Sequence, residues 1–198
     1  MPTMLGVSGA QTTSMRDRLV AAAADLTAER GWGAITMAKL AARVGVSRQT
    51  VYDAVGSKPA LGEAMVLHEL GKFLDAVEAA FDAHPDDVVE AIRAAARAVL
   101  ELAHSHALLQ AIVTASYGAE TQLLPLLTTR SDALVDTAKE VIARRVPTYG
   151  IDLSPDRLDA AIDMVVRLVL SHVMHPGAEP ARVGDDIAWL AARVLRPE

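Results

Sequence analysis

Residues 36–52 read TMAKLAARVGVSRQTVY and contain the most specific structural pattern in the chain. Thr36 is a residue type that caps helix N-termini, and the apolar side chains after it recur at helical spacing. Gly45 can adopt the positive φ of a tight turn, and Ser47 is a second N-cap residue. The stretch therefore predicts two short helices joined by a turn, at residues 37–44 and 47–55.

The second of these helices starts with side chains that can read DNA. In a helix-turn-helix, the N-terminal end of the second helix enters the major groove. Arg48, Gln49 and Thr50 occupy that first turn and can form hydrogen bonds with base edges. The unpaired N–H groups at the Thr36 and Ser47 caps suit contacts with phosphate. The stretch therefore predicts binding to double-stranded DNA.

The rest of the chain carries helical patterns and no convincing strand alternation, so the fold class is predicted to be all-α with about nine helices. Pro125 lies early in a predicted seventh helix that reaches about Arg145. We expect a disordered tail, a helix-turn-helix domain, and a helical effector-binding and dimerisation domain, at residues 1–13, 14–60 and 61–198.

The last two predicted helices indicate a homodimer. In the eighth helix, the polar residues between Asp159 and Ser171 recur every four positions, and the pattern places Asp163 within reach of Arg167. A helix that is apolar around most of its circumference has two faces to bury. We expect the eighth and ninth helices to form most of a dimer interface that includes Val166, Leu170, Ile187 and Leu190. The alternative is a central helix buried within one monomer.

Composition and charge narrow the function classes. The chain has no Cys, which excludes disulfides, and it has no apolar run long enough to cross a bilayer. Residues 1–60 carry seven basic and four acidic side chains, a net charge of +3, and the remainder carries −9 of the total −6. A net positive N-terminal segment (residues 1–60) and a net negative remainder are typical of a protein that contacts phosphate through one end only. We expect a cytoplasmic protein without a membrane segment.

The run from Gly31 to Leu61 resembles the signature of the tetracycline-repressor (TetR-like) family. The positions that carry the resemblance have the family spacing: Trp32, Thr36, Leu40-Ala41, Gly45-Val46-Ser47, Tyr52, Lys58 and Leu61. The resemblance implies a homodimeric transcriptional repressor with an N-terminal helix-turn-helix and a C-terminal helical ligand domain. It also implies release from a palindromic operator by a small apolar or amphipathic effector.

The resemblance also implies roles for individual residues. Thr36, Ser47 and Lys58 are implied to contact phosphate, and Arg48, Gln49, Thr50 and Tyr52 to lie on the groove-facing side. Asp53 and Ala54 depart from the family pattern, in which an aromatic residue or His is followed by Phe. This departure favours one alternative from another class, a helical protein-interaction module with weakened DNA binding. Among DNA-binding proteins, the alternative to an inducible repressor is a constitutive or co-repressor-dependent regulator.

Other candidate sites are weaker. Phe73, His104, Tyr117, Met164 and His172 are expected to line an effector pocket, with core packing as the alternative. His104 and His106 are two residues apart, which points them away from a common ion on a helix. His172 and His175 lack a third ligand at useful spacing. We expect no metal, no cofactor and no enzymatic activity, because nucleophile and phosphate-loop motifs are absent from the sequence.

Overall fold

The computed structural model describes residues 14–113, 122–128 and 131–195, which are helical and contain no strand. The predicted tail (residues 1–13) and Tyr117 lie outside the described residues. The α-helices are α1 (Met15–Arg30), α2 (Met37–Val44), α3 (Arg48–Val55), α4 (Lys58–Ala83), α5 (Val88–Ser105), α6 (Ala107–Val113), α7 (Leu124–Leu127), α8 (Asp132–Arg145), α9 (Pro155–Met174) and α10 (Pro180–Val194), and 3₁₀ turns cover Trp32–Ala34 and Val146–Tyr149. Nine of these α-helices have seven residues or more, which confirms the predicted all-α class.

Side-chain caps fix where the first four helices begin. At each start a hydroxyl accepts a hydrogen bond from an N–H of the first helical turn, which has no partner within the helix. The Ser47 hydroxyl accepts from the Thr50 N–H at 3.0 Å, and the same contact is made by Ser14, Thr36 and Ser57. The α1 cap is a full capping box, because the Asp17 carboxylate in turn accepts from the Ser14 N–H.

Helices α2 and α3 form the predicted helix-turn-helix. Gly45 adopts φ 78° and ψ 36°, the left-handed conformation that a residue with a Cβ rarely takes. Leu40 and Val51 are fully buried between the helices, and the small Ala41 is buried as well. The tight turn and the apolar contacts expected from the sequence are therefore confirmed.

Helix α4 joins the N-terminal head (α1 to α3) to the body (the helices that follow). Trp32 is buried beneath the start of α4, and a Cβ added at Gly62 would lie only 3.2 Å from the Trp32 ring. Glycine therefore lets the helix approach the indole closely. One apolar core runs from Leu19 in α1 through this contact to Ile187 in α10.

Helix α5 is the centre of the body and packs against α4, α9 and α10. At Gly184 in α10 an added Cβ would stand 3.1 Å from the Arg93 carbonyl oxygen, so α10 lies very close to the α5 backbone. Among the described residues, no helix is both long and apolar enough to span a bilayer.

The predicted seventh helix is interrupted, which corrects the expectation of one helix from Pro125 to Arg145. Helix α7 ends at Leu127, and Thr128 has φ −123° and ψ −90°, outside the helical region. The Ser131 hydroxyl donates a hydrogen bond to the Thr128 carbonyl at 2.9 Å. Hydroxyl side chains compete with helical hydrogen bonds in this way, and the helix resumes only at Asp132.

The expected interface residues separate into two groups. Ile187 is 1% exposed and packs inside the protomer core, so its assignment to a dimer interface was wrong. The close approach of α10 to α5 is what covers it. Val166 and Leu170 are partly buried, and Leu190 is 40% exposed. The predicted Asp163–Arg167 ion pair is present at 2.8 Å.

Candidate nucleic-acid interface and cavity

The outer face of α3 is polar and rests on a rigid apolar base. Val51 and Val55 are buried against the head core. Arg48 and Gln49, in the first turn of α3, are exposed, and Tyr52 is 45% exposed. Three of the residues that the sequence places on the groove-facing side are therefore accessible together on one short helix.

Asp53 pairs with Gln49 on the exposed surface of α3. The Gln49 side-chain amide donates a hydrogen bond to the Asp53 carboxylate at 2.7 Å, one helical turn away. This contact fixes the direction of the Gln49 amide before any DNA is bound. A charged acceptor makes such a hydrogen bond stronger than one between neutral groups.

Lys58 has a structural contact in the head. Its ammonium donates to the Trp32 carbonyl at 2.9 Å and lies 4.8 Å from the centre of the Trp32 ring. The side chain therefore ties the start of α4 to the 3₁₀ turn. The hydroxyls of Thr36 and Ser47 cap their helices. Phosphate contacts by these three residues remain a prediction.

A cavity of about 300 Å³ lies in the body between α4, α5, α6, α8, α9 and α10. Its walls are almost entirely aliphatic, with Leu70, Phe73, Ile92, Leu109 and Val169 among them. A volume of this size is at the lower end of the range for small-molecule sites. The cavity can therefore hold an apolar ligand.

Of the five residues suggested for an effector pocket, the four that the structure describes do not share one site. Phe73 and Met164 line the cavity, whereas His104 and His172 are not among the residues that line it. His104 instead contacts the Leu100 carbonyl of its own helix through Nδ1. Spacing in the sequence did not show which side of α5 or α9 would face inward.

Glu69 and His106 line the cavity at one end and were missed as site residues. Glu69 Oε2 accepts from His106 Nε2 at 2.8 Å and from the Lys72 ammonium at 2.7 Å. The Glu69 side chain is only 8% exposed, while Lys72 reaches solvent. The sequence did contain a signal for Glu69, because it falls on the apolar stripe of α4 one turn before Phe73.

The Glu69 carboxylate is held in its charged form. Burial alone would raise its pKa, but the hydrogen bonds from His106 and Lys72 outweigh burial and lower the pKa to about 2. One end of the cavity therefore carries the negatively charged Glu69 carboxylate, which Lys72 balances from the solvent side.

Within the described ranges, no group of three or more His, Cys, Asp or Glu side chains could hold a metal ion. His106 forms a hydrogen bond with Glu69, whereas His104 contacts the Leu100 carbonyl, so the two imidazoles do not share a site.

Comparisons with known proteins agree with this geometry. The family model described as bacterial regulatory proteins, tetR family, matches residues 19–65, and the model of the bacterial tetracyclin repressor C-terminal domain matches residues 87–193. The chain is 28% identical over 183 residues to the HTH-type transcriptional regulator AlkX of Mycobacterium tuberculosis, an alignment that covers 92% of this chain and 84% of the relative.

Solved structures give the same result. The TetR family repressor AlkX from Dietzia sp., implicated in biodegradation of n-alkanes, superimposes with a TM-score of 0.77 at 25% identity, covering 92% of this chain and 95% of the other. A TetR-family regulator from Pectobacterium atrosepticum has a TM-score of 0.61 at 20% identity, with 96% of each chain covered. The two family models match the head and the body, respectively, and the recognition helix α3 is exposed on the head. The chain therefore belongs to the tetracycline-repressor family and is a DNA-binding transcriptional regulator.

Proposed function

We propose that the protein is a homodimeric repressor that binds a palindromic operator and is released from it by a small apolar effector. Residues 14–60 form the DNA-binding head, and residues 61–198 bind the effector and the second subunit. Arg48, Gln49, Thr50 and Tyr52 face the groove in this proposal. Thr36, Ser47 and Lys58 contact phosphate.

The observation that supports the proposal is the length of α4, which extends from the head to the cavity. It is one helix of 26 residues, about 39 Å long at 1.5 Å per residue. Its first residue, Lys58, contacts the head, and Val66, Phe73 and Phe81 further along line the cavity. A ligand that binds more tightly when α4 is in one of two positions shifts the population toward that position, and with it the spacing between the two DNA-binding heads. The free energy of this shift cannot exceed the difference between the ligand's affinities for the two positions.

The walls of the cavity set the chemical class of the effector. Their surface is almost entirely apolar, so binding is driven by removal of apolar surface from water. The similar AlkX repressor from Dietzia is implicated in biodegradation of n-alkanes. We extend this to the present chain as an aliphatic effector.

Apolar side chains on α9 and α10 support the homodimer. Met164 is 69% exposed, Trp189 57% and Val194 44%. A second copy that covers these side chains would bring two recognition helices to the two halves of a palindrome.

Selection of genomic fragments by the purified protein, followed by footprinting, tests the proposal. We expect a palindromic protected site, with affinity that falls steeply as salt concentration rises. Addition of a C10 aliphatic ligand should weaken operator binding measured by fluorescence anisotropy. Equal binding to all fragments would contradict a sequence-specific repressor, and tighter operator binding with ligand would instead identify a co-repressor.

A further inference from the structure

The carboxylate of Glu69 is unevenly satisfied. Its Oε2 atom accepts hydrogen bonds from both His106 and Lys72. Its Oε1 atom is buried and has no hydrogen-bond partner within the part of the chain that the structure describes. A buried acceptor without a donor is costly, and it is costlier still for a charged group.

His106 cannot supply the missing hydrogen bond. Its Nδ1 accepts from the Leu109 N–H at 3.3 Å, so this nitrogen carries no proton. The ring proton is therefore on Nε2, where it is donated to Glu69 Oε2. Phe73 packs against the imidazole with ring centres 5.3 Å apart and helps to hold the ring in this orientation.

The charge at this end of the cavity is already balanced. Lys72 neutralises Glu69 from the solvent side at 2.7 Å. A cationic head group would add an unpaired charge in an apolar cavity, and a carboxylate head would be repelled by Glu69. A hydrocarbon or an ether has no donor to offer. The head group that remains is neutral and donates a hydrogen bond.

We propose that the cavity binds a long-chain primary alcohol whose hydroxyl donates to Glu69 Oε1 while the alkyl chain fills the aliphatic part. This inference rests on the proposed effector function of the cavity. Glu69 is then the specificity-determining residue, and it selects alcohols over the corresponding carboxylates and ethers.

Isothermal titration calorimetry of the full chain with 1-decanol, decyl methyl ether and decanoate tests this selection. A hydrogen bond to a charged acceptor should make 1-decanol bind roughly tenfold more tightly than the ether. Decanoate should bind more weakly than 1-decanol. Equal affinity for alcohol and ether, a preference for decanoate, or no binding of 1-decanol would overturn the proposal.

A substitution at Glu69 sharpens the test. In Glu69→Gln the amide can accept from His106 and Lys72 through its oxygen and turn its NH₂ group toward the cavity. We expect the alcohol-to-ether preference to fall close to one while decanoate binds more tightly than in the wild type. These opposite changes would not result from a general loss of packing. If the preferences of the variant match those of the wild type, Glu69 does not read the head group.

Glu101→Gln is the matched control, because Glu101 is an exposed partner of Arg97 on α5. It should keep the wild-type preferences. If Glu69→Gln does not fold, the wild-type series of three ligands still decides the proposal. Calorimetry is done without DNA and therefore tests the head-group assignment separately from the repressor mechanism. If an alcohol binds but does not release the operator, that result counts against the repressor mechanism and not against the head-group assignment.

Discussion

Among single residues, Asp53 departs from the family pattern, and it accepts a hydrogen bond from Gln49 on the recognition helix α3. Gln49 can read adenine by donating to N7 and accepting from N6. Asp53 orients the amide for this contact, since it accepts from Gln49 at 2.7 Å. In the proposed complex with DNA, the same carboxylate would bring a negative charge close to phosphate and should weaken binding to every sequence.

Two substitutions at Asp53 separate these effects. Asp53→Asn removes the charge but keeps an acceptor, so we expect binding about two- to threefold tighter on cognate and scrambled duplexes alike. Asp53→Ala also releases Gln49, and discrimination between the duplexes should fall by about 0.5–1.5 kcal/mol, the cost of ordering a free side chain. Anisotropy titrations measure both, with Gln49→Ala as the reference for lost reading. Undiminished discrimination in Asp53→Ala would show that Asp53 does not position Gln49.

At the scale of helices, the C-terminal end of α4 is held by the segment that follows α8. The Tyr149 hydroxyl donates to the His84 carbonyl at 2.9 Å, with the Phe81 carbonyl at 3.2 Å, and its ring meets the edge of Phe81. Carbonyls at a helix end lack partners within the helix, so a side-chain donor there stabilises it. Burial raises the pKa of Tyr149, which keeps the phenol protonated and able to donate. Arg145 adds ion pairs with Glu78 and Asp82 on α4.

Tyr149→Phe should therefore reduce the free energy of unfolding by about 1 kcal/mol, because it removes the donor but keeps the ring contact. For a chain of this length that loss lowers Tm by roughly 2–4 °C. Thermal unfolding followed by circular dichroism measures the change. Tyr52→Phe is the control, since Tyr52 is exposed on α3, and it should leave Tm unchanged. An unchanged Tm in Tyr149→Phe would mean that this hydroxyl does not stabilise the end of α4.

At the scale of the whole molecule, the exposed apolar side chains of α9 and α10 predict the dimer. Leu190→Arg places a charge on α10, which also carries Trp189 and Val194, and these side chains and Met164 of α9 are exposed in one protomer. A charge buried without a partner is strongly unfavourable, so sedimentation velocity should show monomers at micromolar concentration. Operator affinity should fall at least tenfold, because the two heads no longer bind as a linked pair.

Ala143→Arg serves as the control for this experiment, because Ala143 is exposed on α8 and should tolerate the charge. A Leu190→Arg protein that stays dimeric would place the interface elsewhere on the surface.

The structure of the DNA-binding head could be predicted from local sequence patterns. Thr36, Gly45 and Ser47 act through hydrogen bonds and backbone angles within a few residues of themselves, so their spacing is enough to predict α2, α3 and the turn. The interruption between α7 and α8 was harder to predict, because it depends on a Ser131 hydroxyl competing with the helix. The cavity, and the face of α10 that is buried in the protomer, depend on how distant helices pack together. Glu69 and His106 are 37 residues apart and meet because α4 and α5 pack together, and Ile187 is buried because Gly184 lets α10 approach α5 closely. Local spacing fixes which residues share a helix face, whereas the packing of distant helices fixes what that face meets.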